Sequence, residues 1–217
     1  MRSETADEIL EQIRRQITPY NLDIMGFHLQ IEKEVYPPIG ESILLAENLS
    51  SRECGIREND RVLDYGCGSG FQSLVSASLG GSVVATDINV SATRCSHNNA
   101  KNNNLDGKIE VRQGKNLEPI LPGEHFDVVI ASLPFEDAQV FTELEYAVYD
   151  PNLQMRQALF GNILKHLTTH GRIFYTYSAR VQKSSPLEQS SDRFLFNVID
   201  QREIKGERYF LYLIRPK

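Results

Sequence analysis

Asp64 ends the apolar run Val62-Leu63 and is followed by Tyr65-Gly66-Cys67-Gly68-Ser69-Gly70, with glycine at every second position. Glycine at that spacing lets a backbone turn tightly and approach a ligand closely, and in folds that alternate strands with helices the ligand sits beyond the carboxyl ends of the strands. A dinucleotide loop needs Gly-x-Gly-x-x-Gly, but the third position of that spacing is Phe71, and Asp64 would face a pyrophosphate with like charge. An acid suits a cationic ligand, an ammonium group for instance. Further along, Val83-Val84-Ala85-Thr86-Asp87-Ile88 is a second apolar run that ends in an acid. A carboxylate there accepts hydrogen bonds from both hydroxyls of a ribose, and Ile88 could cover an adenine face. Each feature alone has an ordinary reading, a structural loop or a helix cap. Together they point to a nucleoside that carries an ammonium group, and S-adenosylmethionine (SAM) is such a ligand. The candidate cofactor-binding residues are Asp64, Tyr65, Gly66, Cys67, Gly68, Gly70, Asp87 and Ile88, with Ser132 at the end of a third apolar run.

A third apolar run, Phe126 to Ala131, leads into Ser132-Leu133-Pro134-Phe135. Methyl transfer from a sulfonium is an in-line displacement, so a protein mainly aligns acceptor, methyl and leaving sulfur. A planar nitrogen is a poor nucleophile while its lone pair is delocalised. Hydrogen bonds from its protons to Ser132 Oγ and the Leu133 carbonyl would turn that pair toward the methyl group, and Phe135 would stack on the acceptor. The alternative for Ser132, Leu133, Pro134 and Phe135 is a strand-ending turn with a buried aromatic. Glu136 and Asp137 just beyond would bind a cation or take a proton, or form a solvated acidic turn.

These residues need a frame to position them. Strand patterns over Arg61–Asp64, Ser82–Thr86, Ile109–Gln113, Phe126–Ser132 and Arg172–Tyr177 alternate with helical patterns near Phe71–Leu79, Ser91–Asn103 and Asn152–His166. That alternation predicts an α/β fold with a doubly wound, mostly parallel sheet covered by helices on both faces. Phe194–Arg202 and Arg208–Arg215, separated by a segment with Gly206, predict an antiparallel hairpin at the C-terminal end. Ahead of this frame, Ile9, Leu10, Ile13 and Ile17 share one face of an amphipathic helix over Thr5–Ile17, stopped by Pro19. A strand over Phe27–Glu34, a break at Tyr36-Pro37-Pro38 and a helix over Glu41–Leu49 follow. Residues 1–40 thus read as an N-terminal helix-and-strand appendage, and 41–217 as the ligand-binding domain. Ser184 to Ser191 reads as a flexible loop, and the asparagines from Asn98 to Asn104 as helix-end caps.

From Tyr36 onward the chain resembles the class I SAM-dependent methyltransferases. The resemblance implies a Rossmann-like, seven-stranded sheet with an antiparallel final strand, SAM as cofactor, and an adenine contact from the segment after the third strand, where Lys115 and Asn116 stand and Asn116 is the candidate. Ser132-Leu133-Pro134-Phe135 is similar to the Asn/Asp/Ser-Pro-Pro-Tyr/Phe motif of nitrogen methyltransferases, with Leu133 in place of the first proline. Val35 to Ser42 resembles the segment ahead of the cofactor loop in release-factor glutamine methyltransferases and their small-methyltransferase relatives. On this resemblance Tyr36, Glu41, Phe135, Tyr149 and Arg156 are candidate substrate-binding residues. Arg156 would pair with a substrate carboxylate, or form a surface ion pair.

A net charge of −6 argues against a surface built to neutralise phosphates. Three cysteines, Cys54, Cys67 and Cys95, suggest neither a disulfide framework nor a metal site. The first residues lack the pattern of a secretion signal and no run reaches membrane-spanning length, so a soluble, cytoplasmic protein without membrane partners is expected. The leading expectation is methylation of a nitrogen on a small metabolite or a protein side chain. The alternatives are methylation of adenine amines in RNA or DNA, a nucleoside-binding or interaction protein without catalysis, and methylation of oxygen.

Overall fold

The computed structural model describes residues 4–16, 19–179, 190 and 192–217. Ile17 and most of the Ser184–Ser191 loop lie outside the described residues. The frame is one seven-stranded sheet with helices on both faces. Its strands are β3 (Arg61–Tyr65), β4 (Ser82–Asp87), β5 (Ile109–Gln113), β6 (Phe126–Ala131), β7 (Leu167–Ser178), β8 (Phe194–Ile204) and β9 (Glu207–Pro216), and they lie in the order β5-β4-β3-β6-β7-β9-β8. β3 to β7 run parallel, and β9 pairs antiparallel with both β7 and β8. Lys205 and Gly206, both at positive φ (51° and 78°), form the two-residue turn of the β8–β9 hairpin. The order reverses at β3: the chain winds outward through β4 and β5, then returns to lay β6 on the other side. Between β3 and β6 lies the switch point, where folds of this kind form their ligand crevice.

Alternation along the strands builds two cores. Val62, Val83, Ala85, Val128 and Ile130 face one side of the sheet with α2 (Glu41–Leu49), α3 (Phe71–Ser78) and α4 (Val90–Asn102). Leu63, Val84, Val129, Ala131, Ile173 and Tyr175 face the other, with α5 (Gln154–Asn162). Val128 to Ala131 are fully buried, which is why these strands read as continuous apolar runs. Arg172 carries charge into the base of the sheet, donating to Asp60 at 2.7 Å and to the carbonyls of Cys54 and Gly55.

The N-terminal residues form α1 (Glu4–Arg15) and a hairpin of β1 (Tyr20–Ile24) and β2 (Phe27–Ile31). β1 is absent from the sequence reading because Tyr-Asn-Leu-Asp-Ile is short and mostly exposed, and its pairing with β2 is what makes it a strand. Leu29, Ile31 and Val35 join the core under α4. Ala6, Leu10 and Ile13 of α1 pack on Ala138, Leu144, Val148 and Tyr149. β7 begins five residues ahead of the expected Arg172, because Leu167 pairs with Phe126 across a bulge although Thr168 to His170 carry no apolar pattern. α5 is shorter than expected. Asn152 and Leu153 take positive φ (54° each), so a 3-10 turn precedes it, and another over Ile163–His166 follows. Among the described residues no helix is long and apolar enough to cross a membrane.

Candidate functional site

Gly66 and Cys67 both donate their backbone N–H to the Thr86 carbonyl at 2.9 Å, which fastens the glycine loop across the end of β4. Gly66, Gly68 and Gly70 have φ of 79°, 52° and 82°, a region that favours glycine. At Gly70 space matters as well: a Cβ there would lie 2.5 Å from Ser96 Oγ and 2.9 Å from Ser96 Cα, so the glycine lets α3 start against α4. Asn99, fully buried on α4, donates to the Ser69 carbonyl at 2.9 Å and accepts from the Gln30 N–H at 2.8 Å. One asparagine thus ties the loop to the N-terminal hairpin. Asn103 caps the helix end, and its side chain also bonds the backbone of His28.

Two carboxylates face the loop. Asp64 is 3% exposed and accepts from Ser73 Oγ at 2.5 Å. Burial pushes its carboxyl up to about 6, the Ser73 hydrogen bond opposes the rise, and the nearby Asp87 adds to it. Asp87 accepts from the N–H groups of Gly68 (3.0 Å) and Asn89 (2.9 Å), yet burial still raises it above the ordinary carboxylate range. A carboxylate has room for about four hydrogen bonds, so Asp87 keeps acceptor capacity toward the cavity. Burial likewise pushes the Cys67 thiol well up, with Asp87 and Asp64 beside it, and keeps it neutral and unreactive.

At the end of β6, Ser132 Oγ accepts from Thr176 Oγ1 on β7 at 2.9 Å. Arg156 Nη2 donates to the Pro134 carbonyl at 2.6 Å and so holds the turn from beneath. The Phe135 ring lies 5.9 Å from that of Tyr209 on β9, tilted by 53°.

All of this opens on one cavity. Its walls include Asp64, Tyr65, Gly66, Cys67 and Gly68, then Asp87, Ile88 and Asn116, then Ser132 to Phe135, and on the near side Tyr36 and Glu41. Asn116 takes positive φ (53°), and its Oδ1 lies 3.1 Å from the Tyr65 hydroxyl. Lys115 lines the cavity beside it. Gly70, Tyr149 and Arg156 do not line it. Gly70 is the packing point of two helices. Tyr149 is fully buried and donates its hydroxyl to Asp7 at 2.6 Å, and Arg156 is 3% exposed, turned to the Pro134 carbonyl and Asp150 rather than to a ligand. Glu136 lies in the wall at 6% exposure instead of in a solvated turn.

Sequence reasoning missed Ala6 and Ile9 of α1, Gln72 and Tyr209, which also line the cavity. Tyr209 carries no local signal; the insertion of β9 beside β7 brings it to Phe135. The walls carry Glu34, Glu41, Asp64, Asp87, Glu136 and Glu143, against Lys115 alone among basic residues of the described wall. The site is therefore strongly acidic. Among the described residues no cluster of three or more His, Cys, Asp or Glu is placed to hold a metal ion.

The chain is similar to known proteins in the part that forms this site. Residues 45–150 match the family model described as Ribosomal protein L11 methyltransferase (PrmA). A ribosomal protein L11 methyltransferase of Neisseria meningitidis is 39% identical over 79 residues, which cover 36% of this chain and 25% of that protein. The chain thus spans about a quarter of the length of the L11 methyltransferase it matches. A Methanocaldococcus jannaschii protein named for N5-glutamine methyltransfer is 32% identical over 131 residues, covering 58% of this chain and 62% of that one. Among solved structures, a 16S rRNA N2 G1207 methyltransferase of T. thermophilus, in complex with AdoMet and guanosine, superimposes with a TM-score of 0.67 at 20% identity, covering 92% of this chain and 50% of that one. A ribosomal protein L11 methylase of Lactobacillus delbrueckii gives 0.59 at 18%, covering 82% and 79%. The fold is that of the Rossmann-like SAM-dependent methyltransferases.

Proposed function

We propose that this protein is a SAM-dependent methyltransferase that acts on a nitrogen of a small metabolite or a protein side chain. The observation that carries the reading is a convergence. The Gly66–Gly70 loop with Asp64, the Asp87 strand end and the Ser132–Phe135 turn all open on one cavity at the switch point of the sheet. The names of its relatives, methyltransferases of ribosomal protein L11 and of protein glutamine, support the same reaction and a nitrogen acceptor.

The residues fit SAM. Asp64 is a buried carboxylate with Ser73 as its side-chain donor, and its raised pKa reflects a charge in need of a cation. An ammonium group answers that need. Asp87 holds spare acceptor capacity for ribose hydroxyls, Ile88 offers an apolar cover, and Asn116 and Lys115, which line the same cavity, are the candidates to meet an adenine edge. The acidic wall disfavours phosphates, as in a dinucleotide or a nucleic-acid backbone. When bound, SAM supplies an electrophilic methyl group on a sulfonium. The protein's part is to orient the acceptor: Ser132 Oγ, held by Thr176, and the Leu133 carbonyl take its N–H groups, Arg156 fixes the turn through the neighbouring Pro134 carbonyl, and Phe135 packs on its plane.

The test has two stages. Calorimetry with SAM should show one saturable site. Methyl-labelled SAM incubated with the protein and cell extract, then fractionated, should place label in metabolite or protein rather than in nucleic acid. Absence of SAM binding would overturn the reading, and label confined to RNA or DNA would overturn the choice of acceptor.

A further inference from the structure

Asn116 lines the cavity from the loop after β5. Gly114 N–H donates to the Asp87 carbonyl at 2.9 Å and Glu118 N–H to the Lys115 carbonyl at 3.1 Å, so the backbone of that loop is held at both ends. Asn116 itself takes φ of 53°, and its Oδ1 accepts from the Tyr65 hydroxyl at 3.1 Å. The same hydroxyl lies 3.2 Å from the Met155 carbonyl in the first turn of α5. That turn is fixed in its own right, because Asp150 accepts from the N–H groups of Met155 at 2.8 Å and Arg156 at 3.2 Å. Tyr65 ends β3, is 3% exposed, and belongs to the core on the α5 side of the sheet with Leu63, Val129 and Ala131. Burial, with Asp150 nearby, pushes its phenol up, so it stays protonated and remains a donor. A phenylalanine would fill the same space in the core; only the hydroxyl reaches Asn116.

We propose that Tyr65 is a positioning residue that sets the base preference of the cofactor site: its hydroxyl holds the Asn116 amide by Oδ1 and so commits Nδ2 to donate to the N1 edge of adenine. The assignment rests on the methyltransferase reading and names how its nucleoside end tells one purine from another. Tyr65 acts through Asn116 and from a rigid base, since its strand and the Met155 carbonyl are both fixed. An amide held before the ligand arrives loses less rotamer freedom on binding. Its Nδ2 needs a lone pair opposite, and adenine carries one at N1. Hypoxanthine carries an N–H there, so two donors would face each other and neither would be satisfied. Without the hydroxyl the amide rotates, presents Oδ1 instead, and accepts from the hypoxanthine N–H.

The test is calorimetry on the full chain with S-adenosylhomocysteine and its deaminated counterpart S-inosylhomocysteine, in which hypoxanthine replaces adenine. The unaltered chain should prefer the adenine form by at least about 30-fold, and Tyr65→Phe should cut that preference by about tenfold. Asn116→Gly, which keeps the positive φ without strain, should cut it by a similar factor, and the two changes together should cost no more preference than either alone. A role for Tyr65 in packing alone would weaken both ligands equally and leave the preference untouched. No preference in the unaltered chain, an undiminished one in Tyr65→Phe, or additive losses in the double variant would overturn the proposal while leaving the methyltransferase reading in place. An undiminished preference in Asn116→Gly would do the same, and that result stands whether or not Tyr65→Phe folds. Failure of S-adenosylhomocysteine to bind the unaltered chain would overturn both.

Discussion

Replacing Asp64 by Asn should stabilise the ligand-free protein and weaken its hold on SAM, because one buried charge is responsible for both. The folded state holds the Asp64 carboxyl at about 6 instead of the ordinary 3.8, chiefly through burial. At about 1.4 kcal/mol per tenfold change in acidity constant, ionised Asp64 costs the folded state about 3 kcal/mol. The sign follows from proton binding. Between pH 4 and 6 the folded protein binds more protons at this position than the unfolded chain, so its stability falls as pH rises through that window and stays low above it. Asn cannot ionise, yet its carbonyl still accepts from Ser73 Oγ. The variant should therefore match the parent near pH 4 and exceed it by up to about 3 kcal/mol at pH 8. Glu41 titrates in both proteins and cancels in the difference. Glu124, held down to about 2 by its hydrogen bond to Arg112, stays ionised at pH 4 and keeps that surface network closed. Urea unfolding of both proteins at several pH values reads the difference directly. Calorimetry at pH 8 should show SAM bound about 10- to 100-fold more weakly, the worth of one charge-assisted hydrogen bond. A stability difference that does not vary with pH, or unchanged SAM affinity, would refute the reasoning.

Asp87→Ala should abolish measurable SAM binding by calorimetry while circular dichroism stays native, since two backbone N–H groups and the ribose hydroxyls lose their acceptor. Ser132→Ala should keep SAM affinity within about twofold and lower single-turnover transfer to the true acceptor by about 100-fold, because its hydroxyl is proposed to take an N–H of the acceptor. Gly70→Ala should cost about 2 kcal/mol or more in urea unfolding, from its positive φ and the overlap with Ser96. Asn99→Ala should cost about 1–3 kcal/mol and speed amide exchange at Gln30, whose backbone N–H would lose its buried acceptor.

Much of the frame and of the nucleoside end is written in local pattern. Val83 to Ala85 and Val128 to Ala131 are buried on both faces, so their apolar runs announce central parallel strands. The loop is equally local: its φ values demand glycine at 66, 68 and 70, and Asp64 and Asp87 end the strands that flank it. Such features depend on neighbours within a few residues, and a single sequence displays them. Arg156 shows where that stops. Its type suits a substrate carboxylate, but the turn at Asn152 and Leu153 buries it beneath Pro134, a direction that no spacing rule encodes. Tyr149 is likewise taken by Asp7, far away in sequence on α1.

The sequence by itself determined the fold class, the strand ends that carry acids, and a glycine-rich loop beside one of them, because periodicity and backbone conformation are short-range properties. Only the tertiary structure decided which side chains share the cavity: that α1 and Tyr36 wall it, that β9 brings Tyr209 to Phe135, and that Glu41, almost wholly buried, stands in its wall. Those facts depend on strand order and on the long-range packing of α1, where residues far apart in the chain compete for the same space.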